Sequence, residues 1–180
     1  MKLRSMLFVP ADSERKLAKG AASAADALIL DLEDAVAESR KPAARALAAE
    51  FVASRAPGRA PSAGPQVFMR INPLDTPFAM ADLAAVVAPG LAGIMLPKIR
   101  GAACIAQLSH GLDALEARAG LAPGSVRIVP VATETPEAML SMASFVGAKL
   151  PRLAGITWGA EDLSTAIGAV SNRDEGGGYA

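Results

Sequence analysis

The sequence predicts an α/β protein whose strands form a parallel sheet. Three observations predict it. Short apolar runs recur without the polar alternation of a half-exposed strand, alanine-rich stretches long enough for helices separate them, and polar or ionisable residues follow every run.

The runs, in order, are Met6–Pro10, Ala27–Leu32, Val67–Asn72, Gly93–Lys98, Val126–Ala132 and Gly155–Trp158. Each reads as a buried strand, apolar on both faces. Their starts lie roughly 20 to 40 residues apart, close to the ~30 residues of one βα unit in a barrel. Between them, Ser13 is placed to cap a helix opening at Glu14. Ser39 is placed to cap the next, with Pro42 in its first turn. Phe78–Ala88 and Ala102–Ala119 read as further helices. Thr135 is placed to cap another, with Pro136 at its first position and Glu137 beside it, where the helix dipole favours an anion. Arg55–Pro65, rich in Gly, Pro and Ala, reads as a loop and not a linker, so residues 1–180 are expected to form a single domain. Six strands suit either an open sheet with helices on both faces or part of a closed barrel.

Composition narrows the function. The chain is 52% hydrophobic with few aromatic residues, which favours a packed core over disorder. Eighteen basic and eighteen acidic residues cancel, so no global field recruits nucleic acid or an anionic membrane. The one cysteine, Cys104, lies among apolar residues and reads as a small buried hydrophobe. His110 sits in mid-helix and reads as a surface residue. Residues 1–5 lack the apolar stretch of a signal peptide, and Met6–Pro10 is too short to span a bilayer. A cytoplasmic protein is the expectation.

In α/β barrels and open α/β sheets the active site lies at the carboxyl ends of the strands. Here those ends carry Asp12, Asp31-Leu32-Glu33-Asp34, Arg70-Ile71-Asn72, Lys98, Thr133-Glu134-Thr135 and Gly159-Ala160-Glu161-Asp162. Neighbouring strands are about 4.8 Å apart, so Glu134 and Asp162 can reach one ion. Two carboxylates, completed by water and substrate oxygens, suit Mg²⁺, with Mn²⁺ as a substitute. Zinc is disfavoured, because the one histidine and the one cysteine stand elsewhere. The competing reading has Glu134 and Asp162 merely capping helices.

Arg70 can carry charge developing on an enolate oxygen, or simply pair with Asp31 or Glu33. Three acids within Asp31–Asp34 repel one another, so Arg70, Lys98 or a metal must compensate. Arg70, Glu33 and Asp34 are the candidate catalytic residues. Lys98 reads as charge balance in preference to a Schiff-base nucleophile. Gly159 to Asp162 opens a helix whose backbone N–H groups suit a substrate carboxylate. Arg70, Glu134, Gly159, Ala160, Glu161 and Asp162 are thus the candidate substrate contacts. Trp158 is expected in the core.

These residues resemble a known family. Arg4-Ser5-Met6-Leu7-Phe8-Val9-Pro10 and Asp31-Leu32-Glu33-Asp34-Ala35-Val36, with Lys41 and Arg45 downstream, are similar to the HpcH/HpaI aldolase and citrate lyase superfamily. The similarity is greatest to its citrate lyase β-subunit and malyl-CoA lyase branch. Arg70-Ile71-Asn72, Pro97-Lys98, Glu134-Thr135 and Gly159-Ala160-Glu161-Asp162-Leu163 continue the pattern in order.

The resemblance implies a (β/α)8 TIM barrel, of which about six βα units are expected in this chain. It implies Mg²⁺ on Glu134 and Asp162, an enolate-steadying Arg70, coenzyme A as part of the substrate, and a homotrimer or hexamer. The implied reaction cleaves a citryl-, malyl- or citramalyl-CoA type ester into acetyl-CoA and a keto acid, with thioester hydrolysis as a second activity in such families. Family members continue past the point matching Ala180, with two more strands and a C-terminal acidic residue that enters the neighbour's site. A CoA-independent pyruvate aldolase is the alternative enzyme, although His110 stands away from the strand ends where that chemistry needs a histidine. An inactive assembly subunit is the alternative outside enzymes.

Overall fold

The computed structural model describes residues 3–58 and 64–179. Five parallel strands form one sheet: β1 (Met6–Pro10), β2 (Ala27–Asp31), β3 (Gln66–Arg70), β4 (Leu91–Leu96) and β5 (Arg127–Pro130). The helices are α1 (Glu14–Ala21), α2 (Lys41–Ser54), α3 (Ala79–Val86), α4 (Ala102–Ala119), α5 (Pro136–Leu140) and α6 (Ala160–Ala166). Short 3₁₀ turns occupy Glu38–Arg40 and Met142–Phe145. No described helix is long and apolar enough to cross a membrane.

The strands pair in chain order, β1-β2-β3-β4-β5. A doubly wound sheet reverses its order at a switch point; this one does not. The two faces differ in the same sense. On one, Leu28, Leu30, Met69, Ile94 and Leu96 of the strands pack with Leu17, Ala48, Val52, Leu83, Ile105 and Leu108 of the helices. On the other, Ala27, Ile29, Phe68, Met95, Val129 and Val131 pack on one another, with no helical residue in that cluster among the described residues. Helices on one face only, over sequentially paired parallel strands, give an α/β fold of the TIM-barrel type. That removes the alternative of an open sheet covered on both faces.

Registration aligns the strand ends. Pro10 is beside Asp31, Asp31 beside Arg70, Arg70 beside Met95, and Met95 beside Val129. Because side chains alternate along a strand, this row presents Asp31 and Arg70 on the same face as Ile29 and Phe68.

Several local expectations are corrected. Gly155–Trp158 is not a strand: its neighbourhood meets β5 through two isolated parallel bridges, Ile128 to Leu153 and Val131 to Thr157. Ile128 N–H donates to the Arg152 carbonyl, and Ala154 N–H to the Ile128 carbonyl. The next donor along β5 would be Pro130, which has no N–H, and the ladder breaks there. The Val126–Ala132 run is a strand only over Arg127–Pro130. Helix α3 is shorter than Phe78–Ala88 because Val87 is extended, at ψ 96°. Ser39 is not a cap but lies inside the 3₁₀ turn that runs into α2.

Other expectations hold. Ser13 and Thr135 accept backbone N–H groups at the starts of α1 and α5. Cys104 is partly buried against the core, and His110 is exposed. Trp158 is a further correction: expected inside, it is 60% exposed and meets Tyr179 edge to face. The loop placed at Arg55–Pro65 lies partly outside the described residues, which omit 59–63.

Candidate active site

Strand β2 ends at Asp31, which is buried. Its carboxylate accepts the backbone N–H groups of Glu33 and Ala35 at 2.9 and 3.1 Å, which turns the chain sharply after the strand. The same carboxylate holds Arg70, the last residue of β3, at two points: Nε to Oδ1 at 2.8 Å and Nη2 to Oδ2 at 2.6 Å. Arg70 Nη1 lies 2.9 Å from Glu33 Oε2, and the guanidinium stacks 5.0 Å above the Phe8 ring. That Glu33 oxygen is out of line for a hydrogen bond with Arg70 and has no other partner among the described residues. Burial raises the Glu33 carboxyl above its ordinary pKa, and Lys98 and Arg70 only partly offset this.

Behind this turn is a buried polar support. Lys41 Nζ donates to the carbonyls of Leu32 and Glu33 at 2.8 and 3.0 Å. Asn72 donates to Leu32 O and, through both its backbone and its side chain, to Asp82 Oδ2. Arg45 Nε closes the group on Asp82 Oδ1 at 2.6 Å. Reading strand ends alone does not single out Asp82. An acid inside the otherwise apolar helix α3 is the available signal, since a buried charge needs partners.

Lys98 follows β4 in a left-handed conformation, with φ 48°. Its ammonium reaches Glu33 Oε1 at 2.6 Å, Asp34 Oδ2 at 3.0 Å and Asp162 Oδ1 at 3.9 Å. Its backbone N–H donates to Glu134 Oε2 at 2.6 Å. Partial burial disfavours the charged amine, but the Glu33 and Asp34 carboxylates outweigh it and hold Lys98 above its usual range. Arg70 is held above its own range in the same way, with Asp31 and Glu33 outweighing burial.

Glu134 follows β5 and is buried. Burial, with the Glu33 and Asp162 charges added, pushes its pKa up to about 7. Gly159 makes room for it: a Cβ there would lie 2.6 Å from Glu134 Cγ and 2.8 Å from Val131 Cγ1. The Thr133 hydroxyl fastens this approach, accepting Gly159 N–H at 2.9 Å and facing Gly159 O at 3.3 Å. Gly159 is also the N-cap of α6, whose first turn carries Glu161 and Asp162.

Phe8, Arg70, Met95, Glu134, Gly159 and Asp162 line one cleft of about 180 Å³ at the carboxyl ends of the strands, and Ala160 and Glu161 line it too. Glu33, Asp34 and Lys98 are not among its lining residues; the Lys98 ammonium links Glu33 and Asp34 to Asp162. The Glu161 carboxylate is engaged elsewhere: it accepts from Asn172 at 2.7 Å and Tyr179 at 3.0 Å and faces Arg173. Among the described residues no three Asp, Glu, His or Cys side chains assemble into a metal-holding group. What the cleft offers a cation is two carboxylates, one of them buried beside other acids. That donor set fits a hard divalent ion that keeps several waters, as Mg²⁺ does.

A profile of the HpcH/HpaI aldolase/citrate lyase family matches residues 4–177. Citrate lyase subunit beta of Haemophilus influenzae is 34% identical over 163 residues, which are 90% of this chain and 54% of that protein. A (3S)-malyl-CoA thioesterase of Cereibacter sphaeroides is 36% identical over 173 residues, 95% of this chain and 53% of that protein. The crystal structure of CitE from Mycobacterium tuberculosis in complex with magnesium, acetoacetate and coenzyme A matches with a TM-score of 0.71 at 34% identity. That match covers 97% of this chain and 55% of the CitE chain. The chain spans about half the length of the curated relatives it matches. By its sequence and its fold, this chain belongs to the HpcH/HpaI aldolase/citrate lyase family.

Proposed function

We propose that the protein is a Mg²⁺-dependent carbon–carbon lyase that cleaves a citryl-, malyl- or citramalyl-CoA type ester into acetyl-CoA and a keto acid. The observation that carries this reading is the single cleft lined by Arg70, Glu134 and Asp162. The relatives support it: CitE is crystallised with magnesium, acetoacetate and coenzyme A, and other family members are a citrate lyase subunit and a malyl-CoA thioesterase.

In this reading Glu134 and Asp162 hold the divalent ion. When bound, the ion acts as a Lewis acid and as a template for the substrate's oxygens. Arg70 has five N–H donors, of which Asp31 takes two. Fixed in that fork, it keeps donors for an enolate oxygen as charge develops there, without reorganising. Glu33 is the candidate base, receiving the hydroxyl proton at Oε2, the oxygen without a hydrogen-bond partner. Asp34 shares Lys98 with it. The backbone N–H groups of Ala160 and Glu161, at the start of α6, are the proposed donors to the keto-acid carboxylate.

The same reading takes the sheet as part of a closed (β/α)8 barrel, with residues 152–157 standing in the sixth strand position. The expected partners are acyl-CoA and keto-acid molecules in the cytoplasm, and the expected assembly is a homotrimer or hexamer. The test is incubation with malyl-, citramalyl- and citryl-CoA and Mg²⁺, with acetyl-CoA and keto acid measured separately. Acetyl-CoA and keto acid in equal amounts support the lyase. Release of free CoA with the hydroxy acid intact would instead assign the thioesterase activity that the Cereibacter relative's name carries. Neither product from a folded protein that binds Mg²⁺ would overturn both.

A further inference from the structure

Four carboxylates converge on one residue. Glu33, Asp34 and Asp162 face the Lys98 ammonium at 2.6, 3.0 and 3.9 Å, and Glu134 accepts the Lys98 backbone N–H at 2.6 Å. Serving both groups from one residue coincides with a left-handed backbone, φ 48°, a conformation that strains a residue with a Cβ. Acids gathered this closely would ordinarily collect a divalent ion with many protein ligands. Yet among the described residues no three of them form a metal-holding group. Arg70 adds a second fixed cation, on Asp31 and Glu33.

We propose that the Lys98 ammonium is a resident cation that divides these acids, holding Glu33 and Asp34 away from the metal and leaving Glu134 and Asp162 as the exchangeable divalent site. The inference rests on the reading of Glu134 and Asp162 as metal ligands. It explains why an ion in an acid-rich cleft would keep open positions for substrate oxygens: only two protein carboxylates are available to it. It also explains the choice of lysine. A compact ammonium can donate to Glu33 and Asp34 together, as Lys98 does, whereas a planar guanidinium would fork onto one of them.

The test is Mn²⁺ titration without substrate, followed by electron paramagnetic resonance of the free ion. It compares the unaltered protein with Lys98→Met, Lys98→Gly and Asp162→Ala. Lys98→Gly suits the left-handed backbone and keeps the N–H to Glu134, so it remains informative if Lys98→Met fails to fold. The unaltered protein should bind one equivalent, and Asp162→Ala should lose it. The folded Lys98 variants should bind a second equivalent, or bind the first at least about tenfold more tightly, because a positive charge within a few ångströms of the ion has gone. A single equivalent bound within about threefold of the unaltered protein, or more weakly, would overturn the inference while leaving the metal pair standing. Binding by the Lys98 variants alone would sink the reading of Glu134 and Asp162 but keep the role of Lys98. No binding by any of them overturns both.

Discussion

Asp31 and Arg70 are partners twice over: neighbours in register across β2 and β3, and the two halves of a two-point ion pair with contacts of 2.8 and 2.6 Å. Registration brings the two backbones together, and the pair then fixes the guanidinium plane.

Replacing Asp31 by Asn keeps the shape but removes the charge and turns one acceptor into a donor facing Arg70. In the proposed lyase this should lower kcat/KM for acetyl-CoA release by about 100-fold, because a misplaced catalytic group costs that much. Arg70→Lys should not preserve activity, since an ammonium cannot fork onto a carboxylate. Asp31→Ala leaves Arg70 and two backbone N–H groups without their acceptor, and should cost about 3 kcal/mol of stability in urea titration.

Gly159→Ala puts a methyl carbon 2.6 Å from Glu134 Cγ and 2.8 Å from Val131 Cγ1, closer than carbon atoms pack. Glu134 must move. Calorimetry should show Mg²⁺ or Mn²⁺ affinity reduced about tenfold, as for a displaced ligand, with circular dichroism unchanged. Undiminished affinity would remove Glu134 from the proposed metal pair.

Metal binding should depend on pH around neutrality. The Glu134 pKa of about 7 means that proton and metal compete for this carboxylate below that pH. Affinity should fall by up to about tenfold per pH unit below 7 and level off above it. The metal-free protein should show the opposite trend in its stability. A raised carboxyl pKa stabilises the fold fully below the unfolded value near 4.5, and that contribution is lost as pH rises through about 7. Chemical denaturation at several pH values, with and without Mg²⁺, checks both signs.

Acid should weaken a different part of the chain. Glu116 on α4 is buried, which by itself would raise its pKa. Arg152 and the backbone N–H groups of Val126 and Gly124 overcome this and hold it at about 2. Arg152 in turn ties α4 to the segment that follows β5. A lowered carboxyl pKa stabilises above the unfolded value near 4.5, and the contribution fades as pH falls towards about 2. Glu116→Gln should flatten that part of the pH–stability curve and lower stability at pH 7 by a few kcal/mol, measured in urea.

How much of this was legible in the sequence depended on range. Buried strands betray themselves by apolar runs, and all five described strands overlap such runs, although β3 begins one residue before Val67 and β4 two residues before Gly93. The sixth run misled because Pro130 lacks a donor on the opposing strand, a defect in the partner and not in the run itself. Trp158 misled because an aromatic beside a strand end reads as core, whereas here it lies outside against Tyr179. Ser39 misled because a cap requires an extended residue at the helix start, and a 3₁₀ turn occupies that place.

By itself the sequence determined that acids, Arg70 and Lys98 would stand at strand ends on one edge of a parallel sheet. Alternation, strand length and capping are short-range, so they are written in consecutive residues. Only the tertiary structure decided which of these groups meet. Arg70 finds Asp31 across 39 residues, and Lys98 finds Glu33 across 65, because strands pair in chain order and in one register. The left-handed turn at Lys98 and the space beside Gly159 were likewise decided there. Contacts of a few ångströms between distant residues depend on how whole elements pack, which no local pattern encodes.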